Sequence, residues 1–355
     1  MPKRKTILVA PLNWGLGHAT RCIPIIHALL QYNYNIIIAS DGAALLLLQK
    51  EFPLLEAIEL PAYNITYPKK GRNFKWNMLL KLPHILKTIS AEKKYIEQLV
   101  AGSKIDGIIS DNRFGARNAA VPSVYITHQL NVLSGNTSFF SSRIHQKIIK
   151  KFDGCWVPDV ADMDLNLSGK LGHLKNKSFA VDYLGVLSRM EKKEIKKSID
   201  ILLLLSGPEP QRSLFEEKLK NVFKNSAKNI VMVQGKVANE QKWVDFGNIR
   251  IVNFMQSEEL EETINKSELI ISRPGYTTIM DLTSLEKNAF FVPTPGQYEQ
   301  EYLAKRLKNM GIAPTCKQAN FKADELNRVN DYRGLRAILH LPANFSKLFS
   351  LFEGK

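Results

Sequence analysis

Residues 272–282, Ser-Arg-Pro-Gly-Tyr-Thr-Thr-Ile-Met-Asp-Leu, bring backbone donors, hydroxyls and a carboxylate together at a spacing that suits a nucleotide. The apolar run before this segment predicts a buried strand, Gly275 interrupts it, and helical periodicity starts at Tyr276. Unpaired N–H groups at a helix start bind anions such as phosphate. Asp281 lies one to two turns further on, where its carboxylate would reach a sugar hydroxyl. We therefore expect a nucleotide site here.

A second candidate lies after the first predicted strand, where Gly15-Leu16-Gly17-His18 opens a helix. The positive end of a helix dipole favours an uncharged imidazole, which can act as a general base. Gly15 and Gly17 would let another molecule approach the backbone closely. A histidine that merely caps the helix or lies on the surface would leave the same pattern, so both interpretations stay open.

Two further loops of the first half carry Asp111 and His128, each directly after a predicted strand. The carboxyl ends of parallel strands open at one edge of a sheet, so we expect both side chains to face the same cleft as His18. Each is an alternative candidate for the base, although a loop carboxylate is often simply solvated.

The elements that position these residues are short apolar runs alternating with helical stretches, a pattern typical of parallel α/β architecture. We expect two doubly wound Rossmann-like domains facing a cleft, one of residues 1–188 and one of residues 189–335. Residues 336–355 would form a helical segment that packs back on the first domain. The predicted strands are 6–10, 35–39, 105–110, 124–127, 179–184, 200–205, 230–234, 249–253, 269–272 and 290–293.

The composition of the 355 residues, 45% apolar and 23% charged, is that of a soluble globular protein. No run approaches about 18 apolar residues, so we predict no membrane-spanning helix. The three cysteines are scattered and lack metal-ligand spacing, which fits a reducing cytoplasm. Asp162-Met163-Asp164 has the spacing of a metal-binding pair but lies in a polar loop. We therefore expect neither a metal nor a cofactor.

The charge is concentrated in the first half. Residues 1–190 carry a net charge of +11, from 24 Lys and Arg against 13 Asp and Glu, out of +15 for the whole chain. This predicts an anionic partner, although an A/T-rich genome would also raise the lysine content. Residues 72–83 mix aromatic residues and leucines with lysines, which suits either an anionic membrane surface or an amphipathic helix facing the core. Aromatic residues do not alternate with basic ones, so we expect no nucleic-acid partner.

With these elements placed, the chain resembles GT-B glycosyltransferases of glycosyltransferase family 28, which includes the lipid II-forming UDP-GlcNAc transferases. The resemblance covers roughly residues 200–313 and includes Leu202–Gly207, Val231–Gly235, Ile251–Phe254, Ser272–Asp281 and Pro293–Glu301. The opening Gly15–Arg21 is similar to a Gly-x-Gly-His-x-x-Arg loop of uncharacterised bacterial branches and of UDP-sugar hydrolases. That loop leaves transferase and hydrolase both open.

The resemblance implies roles for the matching residues. The backbone at Met255, after Phe254, would recognise the nucleobase, and Asp281 would accept from the ribose. The residues implied in binding the diphosphate and the donor sugar are Gly17, Ser206, Gly207, Arg273, Gly275, Thr277, Thr278, Gln300 and Glu301. One departure concerns the loop Ser206–Pro210, in which two prolines remove donors and Glu209 would oppose a phosphate.

The resemblance therefore implies a metal-independent hexosyltransferase, with His18 as the base. It would transfer a sugar from a nucleotide diphosphate, expected to be UDP, to a hydroxyl of a lipid-linked or cell-envelope glycan. It would work in the cytoplasm at the inner face of the membrane. The alternative is a UDP-sugar hydrolase in which His18 activates water. A third interpretation is a basic protein that only binds nucleic acid or membrane. The donor sugar, the acceptor, the stereochemical outcome and the oligomeric state stay open.

Overall fold

The computed structural model consists of two parallel sheets with helices packed on their faces. It describes residues 4–64, 74–162, 165–174, 179–207, 209–338 and 344–354, and of residues 74–80 only the backbone. Within the described residues no helix is both long and apolar enough to cross a membrane.

The first sheet has seven parallel strands in the order β3-β2-β1-β4-β5-β6-β7. β2 and β3 lie on one side of β1, and the next strand in the chain, β4, pairs with the other side of β1. The strands are β1 (Thr6–Pro11), β2 (Asn35–Ser40), β3 (Glu56–Glu59), β4 (Gly107–Asp111), β5 (Ser123–Ile126), β6 (Gly154–Val157) and β7 (Asp182–Tyr183). The helices are α1 (Gly17–Gln31), α2 (Gly42–Glu51), α3 (Phe74–Ala101) and α4 (Ser138–Ile149).

The second sheet has six strands in the order β10-β11-β9-β8-β12-β13, all parallel except the edge strand β10. Its strands are β8 (Ile199–Leu204), β9 (Ile230–Val233), β10 (Trp243–Phe246), β11 (Ile249–Val252), β12 (Ser267–Ser272) and β13 (Asn288–Phe291). Its helices are α5 (Gln211–Phe223), α6 (Ser257–Lys266), α7 (Tyr276–Ser284) and α8 (Tyr298–Asn309). The predicted fold class is confirmed.

The predicted strands agree with most of the buried strands of the structure. β3 and β10 were missed because both lie at sheet edges and lack a continuous apolar run. The buried strand β6 was also missed, because its apolar run is only three residues long after Gly154. β7 has two residues and is shorter than the predicted strand 179–184, since only Asp182 and Tyr183 pair with β6. Edge strands are short and partly exposed to solvent, so hydrophobic periodicity detects them poorly.

The end of the chain packs on the first domain. A short helix α9 (Phe345–Phe349) leads to Phe352, which is fully buried against the rings of Tyr34 and Trp156, at centroid distances of 6.4 and 6.2 Å. The Tyr34 hydroxyl donates to Glu353. Between the two sheets, residues 184–198 run without regular structure and include the predicted boundary at residue 188. That boundary stays a prediction.

Replacing Phe352 with alanine should destabilise the protein markedly, because it removes a fully buried ring from the first domain. We expect the free energy of unfolding to fall by about 3–5 kcal/mol. Phe140→Ala makes the same chemical change at a ring that is 68% exposed and should cost less than about 0.5 kcal/mol. Urea unfolding of both variants measures the difference. Equal losses would contradict this packing.

Candidate active site between the two domains

His18 and Asp111 form a hydrogen-bonded pair at the carboxyl edge of the first sheet. β1 and β4 are neighbours, so the end of β4 lies beside the loop that leads from β1 into α1. The Nδ1 atom of His18 lies 2.8 Å from Oδ1 of Asp111. Nη2 of Arg21, which can only donate, lies 2.9 Å from the same Nδ1, whereas the carboxylate can only accept. In the tautomer in which Nδ1 donates to Asp111, Nε2 keeps a free lone pair. The His18 side chain remains 15% exposed.

Asp111 is positioned to orient His18 and is a poor base itself. Both of its oxygens accept from Arg21, through Nε and Nη2. Burial opposes ionisation of this carboxyl, but the charges of Arg21 and His18 outweigh burial and hold its pKa well below the ordinary value. Asp111 is therefore an ionised and fully buried carboxylate, and its role as an alternative base stays a prediction.

His128 is also occupied at both ring nitrogens. It follows β5 in the chain, and its Nδ1 lies 2.9 Å from Nη1 of Arg21. Its Nε2 lies 2.7 Å from Oε1 of Glu299, at the start of α8 in the second domain. Because arginine only donates and a carboxylate only accepts, Nδ1 accepts and Nε2 carries the proton. Burial lowers the pKa of this ring. Both ring nitrogens of His128 are thus engaged within the protein, and its role as a base stays a prediction.

The starts of α1 and α7 meet at the domain contact. Neither helix has a side-chain cap, and the first backbone bonds within them are from Thr20 to Leu16 and from Ile279 to Gly275, both 2.9 Å. The N–H groups of each first turn therefore have no intrahelical acceptor. The hydroxyl of Thr277 donates to the carbonyl oxygen of Gly17 at 2.9 Å, which joins the two helix starts.

A side chain at position 17 would crowd this contact, since a Cβ atom on Gly17 would lie 3.1 Å from Oγ1 of Thr277. The hydroxyl of Thr278 accepts or donates no hydrogen bond among the described residues, so it is available to a ligand. Two positive helix ends side by side form an environment that favours an anion.

Asp281 is buried beside the connection between the domains. It accepts from the hydroxyl of Ser188 at 2.8 Å and from the backbone N–H of Arg189. Burial raises its pKa to about 6, although the charge of Arg189 acts in the opposite direction. The carboxylate is thus held in a poorly hydrated place, where a sugar hydroxyl would be a favourable partner.

Arg189 is a candidate that the sequence analysis missed. Its guanidinium is buried, and Nε and Nη1 have no hydrogen-bond partner among the described residues. The closest carboxylate oxygen, Oε1 of Glu51, lies 3.6 Å from Nη1. Buried donors without acceptors are rare and indicate a missing polar ligand. No local sequence pattern distinguishes Arg189 from the other basic residues near it in the chain.

Arg273 is turned away from the cleft and supports the second domain. Its Nη1 donates to the carbonyl oxygens of Val292 and Pro293, both at 2.9 Å, and its Nη2 donates to Gln318 at 2.6 Å. The guanidinium also lies 3.9 Å from the ring centre of Phe215. Burial lowers its pKa to about 9. These contacts occupy the guanidinium within the second domain, and its predicted binding role stays a prediction.

Gln300 and Glu301 both shape the loop between β13 and α8. Oε1 of Gln300 accepts from the backbone N–H of Thr294 at 2.8 Å, and Oε1 of Glu301 accepts from that of Gly296 at 3.1 Å. Their predicted contact with the donor sugar stays a prediction. The neighbouring Glu299, which the sequence analysis did not select, reaches the first domain instead.

The predicted nucleobase and phosphate loops have free backbone groups. Phe254 and Met255 are buried, and the backbone N–H and carbonyl oxygen of Met255 have no partner among the described residues. Gly207 has a φ of +99° and open space around it, next to the half-buried Ser206.

Glu209 does not oppose a phosphate as predicted. It accepts from Nε of Arg212 at 2.8 Å and from the backbone N–H of Ser213 at 3.2 Å, so its charge is satisfied at the start of α5. Pro208, between Gly207 and Glu209, lies outside the described residues.

In the described part of the chain, no group of three His, Cys, Asp or Glu side chains is placed to hold a metal ion. Met163 and Asp164 of the predicted Asp-x-Asp pair lie outside the described residues. The expectation of a metal-free reaction stays a prediction.

Comparison with known proteins agrees with this geometry. Residues 202–331 match the glycosyltransferase family 28 C-terminal domain. The UDP-N-acetylglucosamine–N-acetylmuramyl-(pentapeptide) pyrophosphoryl-undecaprenol N-acetylglucosamine transferase of Haemophilus ducreyi is 23% identical over 293 residues, 77% of each chain. An uncharacterised glycosyltransferase of Methanosarcina acetivorans is 25% identical over 335 residues, which are 84% of this chain and 82% of that one.

Solved glycosyltransferases share the fold along the whole chain. The spinosyn rhamnosyltransferase SpnG superposes with a TM-score of 0.61 at 14% identity, covering 99% of this chain and 96% of its own. MurG of Acinetobacter baumannii superposes with a TM-score of 0.52 at 15% identity, covering 99% and 92%. The fold is therefore that of the GT-B glycosyltransferases. Residues 202–331 of the second domain are similar to the glycosyltransferase family 28 C-terminal domain, so the resemblance predicted from the sequence is confirmed.

The raised pKa of Asp281 predicts a pH-dependent stability difference for Asp281→Asn. The folded state prefers the neutral acid, so wild-type protein loses stability as pH rises from the ordinary pKa of 3.8 through about 6, and the amide variant does not. The free energy of unfolding of Asp281→Asn relative to wild type should therefore increase by roughly 1–3 kcal/mol over this range. Denaturant unfolding at several pH values measures it. Asp324→Asn, which alters an exposed carboxylate of the same domain, is the control. A pH-independent difference for Asp281→Asn would contradict the burial of this charge.

Proposed function

We propose that this protein transfers a sugar from a UDP-sugar to an acceptor hydroxyl. The observation that carries the proposal is the position of the His18–Asp111 pair beside the uncapped start of α7, where Thr277 contacts Gly17. One domain thus supplies a base and the other an anion site. The family match covers the domain that would hold the donor.

The donor diphosphate would lie at the first turn of α7, where N–H groups and the Thr278 hydroxyl are free. Arg189 would pair with the ligand through its two unpartnered nitrogens, and Asp281 would accept from the ribose. The free backbone at Met255 would recognise the base. Ser206 and Gly207 would face the phosphates, and Gln300 and Glu301 would approach the donor sugar.

In the reaction, Nε2 of His18 would remove the proton of the acceptor hydroxyl as its oxygen attacks the anomeric carbon. Asp111 would stabilise the imidazolium that forms, because its charge is fixed 2.8 Å from Nδ1. Charge that builds on the leaving UDP would be stabilised by the helix start and by Arg189. These groups supply positive charge without a metal ion or a cofactor.

The acceptor is proposed to be a lipid-linked or cell-envelope glycan. The relative from Haemophilus ducreyi is named for an undecaprenol-linked acceptor. In this chain α4 begins near the carboxyl edge of the first sheet and exposes Phe139, Phe140 and Ile144, which are 61%, 68% and 62% accessible. Arg143 lies over the ring of Phe139, with its charge centre 4.7 Å from the ring centre.

Exposed aromatic rings beside basic side chains are suited to the surface of an anionic membrane. We therefore propose that α4 brings the first domain to the inner face of the cell membrane. The sequence analysis placed this contact at residues 72–83. Residues 72 and 73 lie outside the described residues, and Leu82 is exposed on α3.

Hydrolysis of a UDP-sugar has no support from the relatives described above, all of which are named as glycosyltransferases. Incubation with UDP-sugars and no acceptor still separates the two activities. Fast and complete release of free sugar would indicate a hydrolase, and slow leakage a transferase.

Two substitutions should separate binding from chemistry. Asp281→Ala should weaken UDP binding by about tenfold or more, because a hydrogen bond to a charged group is lost. His18→Ala should leave the UDP affinity unchanged and lower turnover by about 10²–10⁴-fold. Calorimetry with UDP and assays with a panel of UDP-sugars and acceptors measure both effects. Unchanged UDP affinity in Asp281→Ala would refute the donor site, and full activity of His18→Ala would refute the base.

Replacing Phe139 and Phe140 with serine should reduce binding to vesicles that contain phosphatidylglycerol. Two exposed rings would be lost from the apolar side of the contact, so we expect the affinity to fall by about tenfold or more. Leu54→Ser is a matched control, because Leu54 is 97% exposed at the opposite edge of the first sheet. Sedimentation with the vesicles measures binding. Equal binding of all three proteins would exclude α4 as the contact.

A further inference from the structure

A continuous chain of hydrogen bonds crosses from the second domain to His18. Glu299 accepts from Nε2 of His128 at 2.7 Å, and Nδ1 of His128 accepts from Nη1 of Arg21 at 2.9 Å. Arg21 donates to both oxygens of Asp111, which accepts from Nδ1 of His18 at 2.8 Å. Nη2 of Arg21 also lies 2.9 Å from Nδ1 of His18, so Arg21 contacts His18 directly as well as through Asp111. We call this chain the Glu299 relay.

The second domain holds the relay at two points. Glu299 lies in the first turn of α8, and its other oxygen accepts from Gln129, the neighbour of His128. The ring of Tyr276, the first residue of α7, stacks on His128 with 4.3 Å between ring centres and an angle of 2° between the planes. His128 is therefore fixed only while α7 and α8 are docked on the first domain.

Docking determines which nitrogen of His128 carries the proton. With Glu299 in place, Nε2 donates and Nδ1 accepts from Arg21. Without Glu299, the proton can move to Nδ1, where an N–H group would oppose the N–H group of Arg21. Arg21 would then turn, and the carboxylate that orients His18 would turn with it.

We propose that Glu299 is a positioning residue, which sets the orientation of His18 through His128, Arg21 and Asp111 when the two domains close. The inference rests on the proposed function, in which His18 is the base. Its consequence is that His18 is aligned only after the donor-binding domain has docked. Premature loss of a UDP-sugar to water would thereby be reduced.

The contrasting explanation is that Glu299 merely holds the domains together. The interface contains other hydrogen bonds that do not lead to His18. The backbone N–H of Lys170 donates to the hydroxyl of Tyr302 at 3.0 Å, and Tyr302 lies one turn after Glu299 on the same helix. Tyr302→Phe therefore removes an interdomain hydrogen bond while it leaves the relay intact, which makes it a matched control for Glu299→Ala.

The kinetic test compares Glu299→Ala with Tyr302→Phe in the full-length protein. Glu299→Ala should lower kcat by roughly 10- to 100-fold with little change in the KM for the UDP-sugar, because a base is misplaced while the nucleotide contacts remain. Tyr302→Phe should keep kcat within about threefold of wild type. In a His18→Ala background, Glu299→Ala should cause no further loss. A further loss of the same size in that background would show a purely structural role and overturn the proposal.

A second measurement needs no substrate and separates failure of this inference from failure of the proposed function. Long-range proton–nitrogen NMR spectra of histidine-labelled protein identify the protonated ring nitrogen. We expect Nε2–H at His128 and Nδ1–H at His18 in wild type and in Tyr302→Phe, and altered signals of both rings in Glu299→Ala. Unchanged His18 signals in Glu299→Ala would overturn the relay even if transferase activity is found. Altered signals in a protein without transferase activity would support the relay and reject the proposed function.

Discussion

The buried ion pair of Arg21 and Asp111 is the interaction on which the candidate site depends. Both side chains are almost completely removed from water, and such a pair is tolerated only when its remaining donors and acceptors are satisfied. The carboxylate meets this condition through His18, and the guanidinium meets it through His128. One electrostatic requirement thus fixes the geometry of two histidines that lie on different loops.

At the contact between the domains, the starts of α1 and α7 lack the side-chain caps that helix starts ordinarily have. Serine, threonine, aspartate or asparagine at a helix start typically contributes about 1 kcal/mol, yet α1 and α7 both begin without such a cap. Arg189 adds buried donors that find no acceptor. The protein accepts these costs at the place where the two sheets present their carboxyl edges, which is the usual position of a ligand in such folds.

Local sequence patterns sufficed for the features that depend on near neighbours. Apolar runs identified most of the buried strands, and the turn at Gly275 identified the start of α7, because burial and backbone conformation act within a few residues. The roles of individual polar side chains were harder to predict. Arg273 has a position typical of a ligand-binding arginine, but residues far along the chain provide carbonyl oxygens that turn it inward.

Local sequence patterns could not identify hydrogen-bond partners that come from the other domain. Glu299 was overlooked beside Gln300 because its acceptor role depends on His128, 171 residues away. Asp111 was proposed as an alternative base because it follows a predicted strand at the edge of the sheet, whereas Arg21 pairs with it and holds it as an anion. The sequence shows residue types and their order, but burial decides whether a charge is free to react.

The return of α9 to the first domain restricts how the two halves of the molecule can move. The polypeptide leaves the first domain after Tyr183, and α9 lies on that domain again after the last strand of the second sheet. A single tether would allow swivelling in any direction, but two tethers leave chiefly rotation about the line that joins them. The two domains should therefore come together in the same relative orientation each time they close.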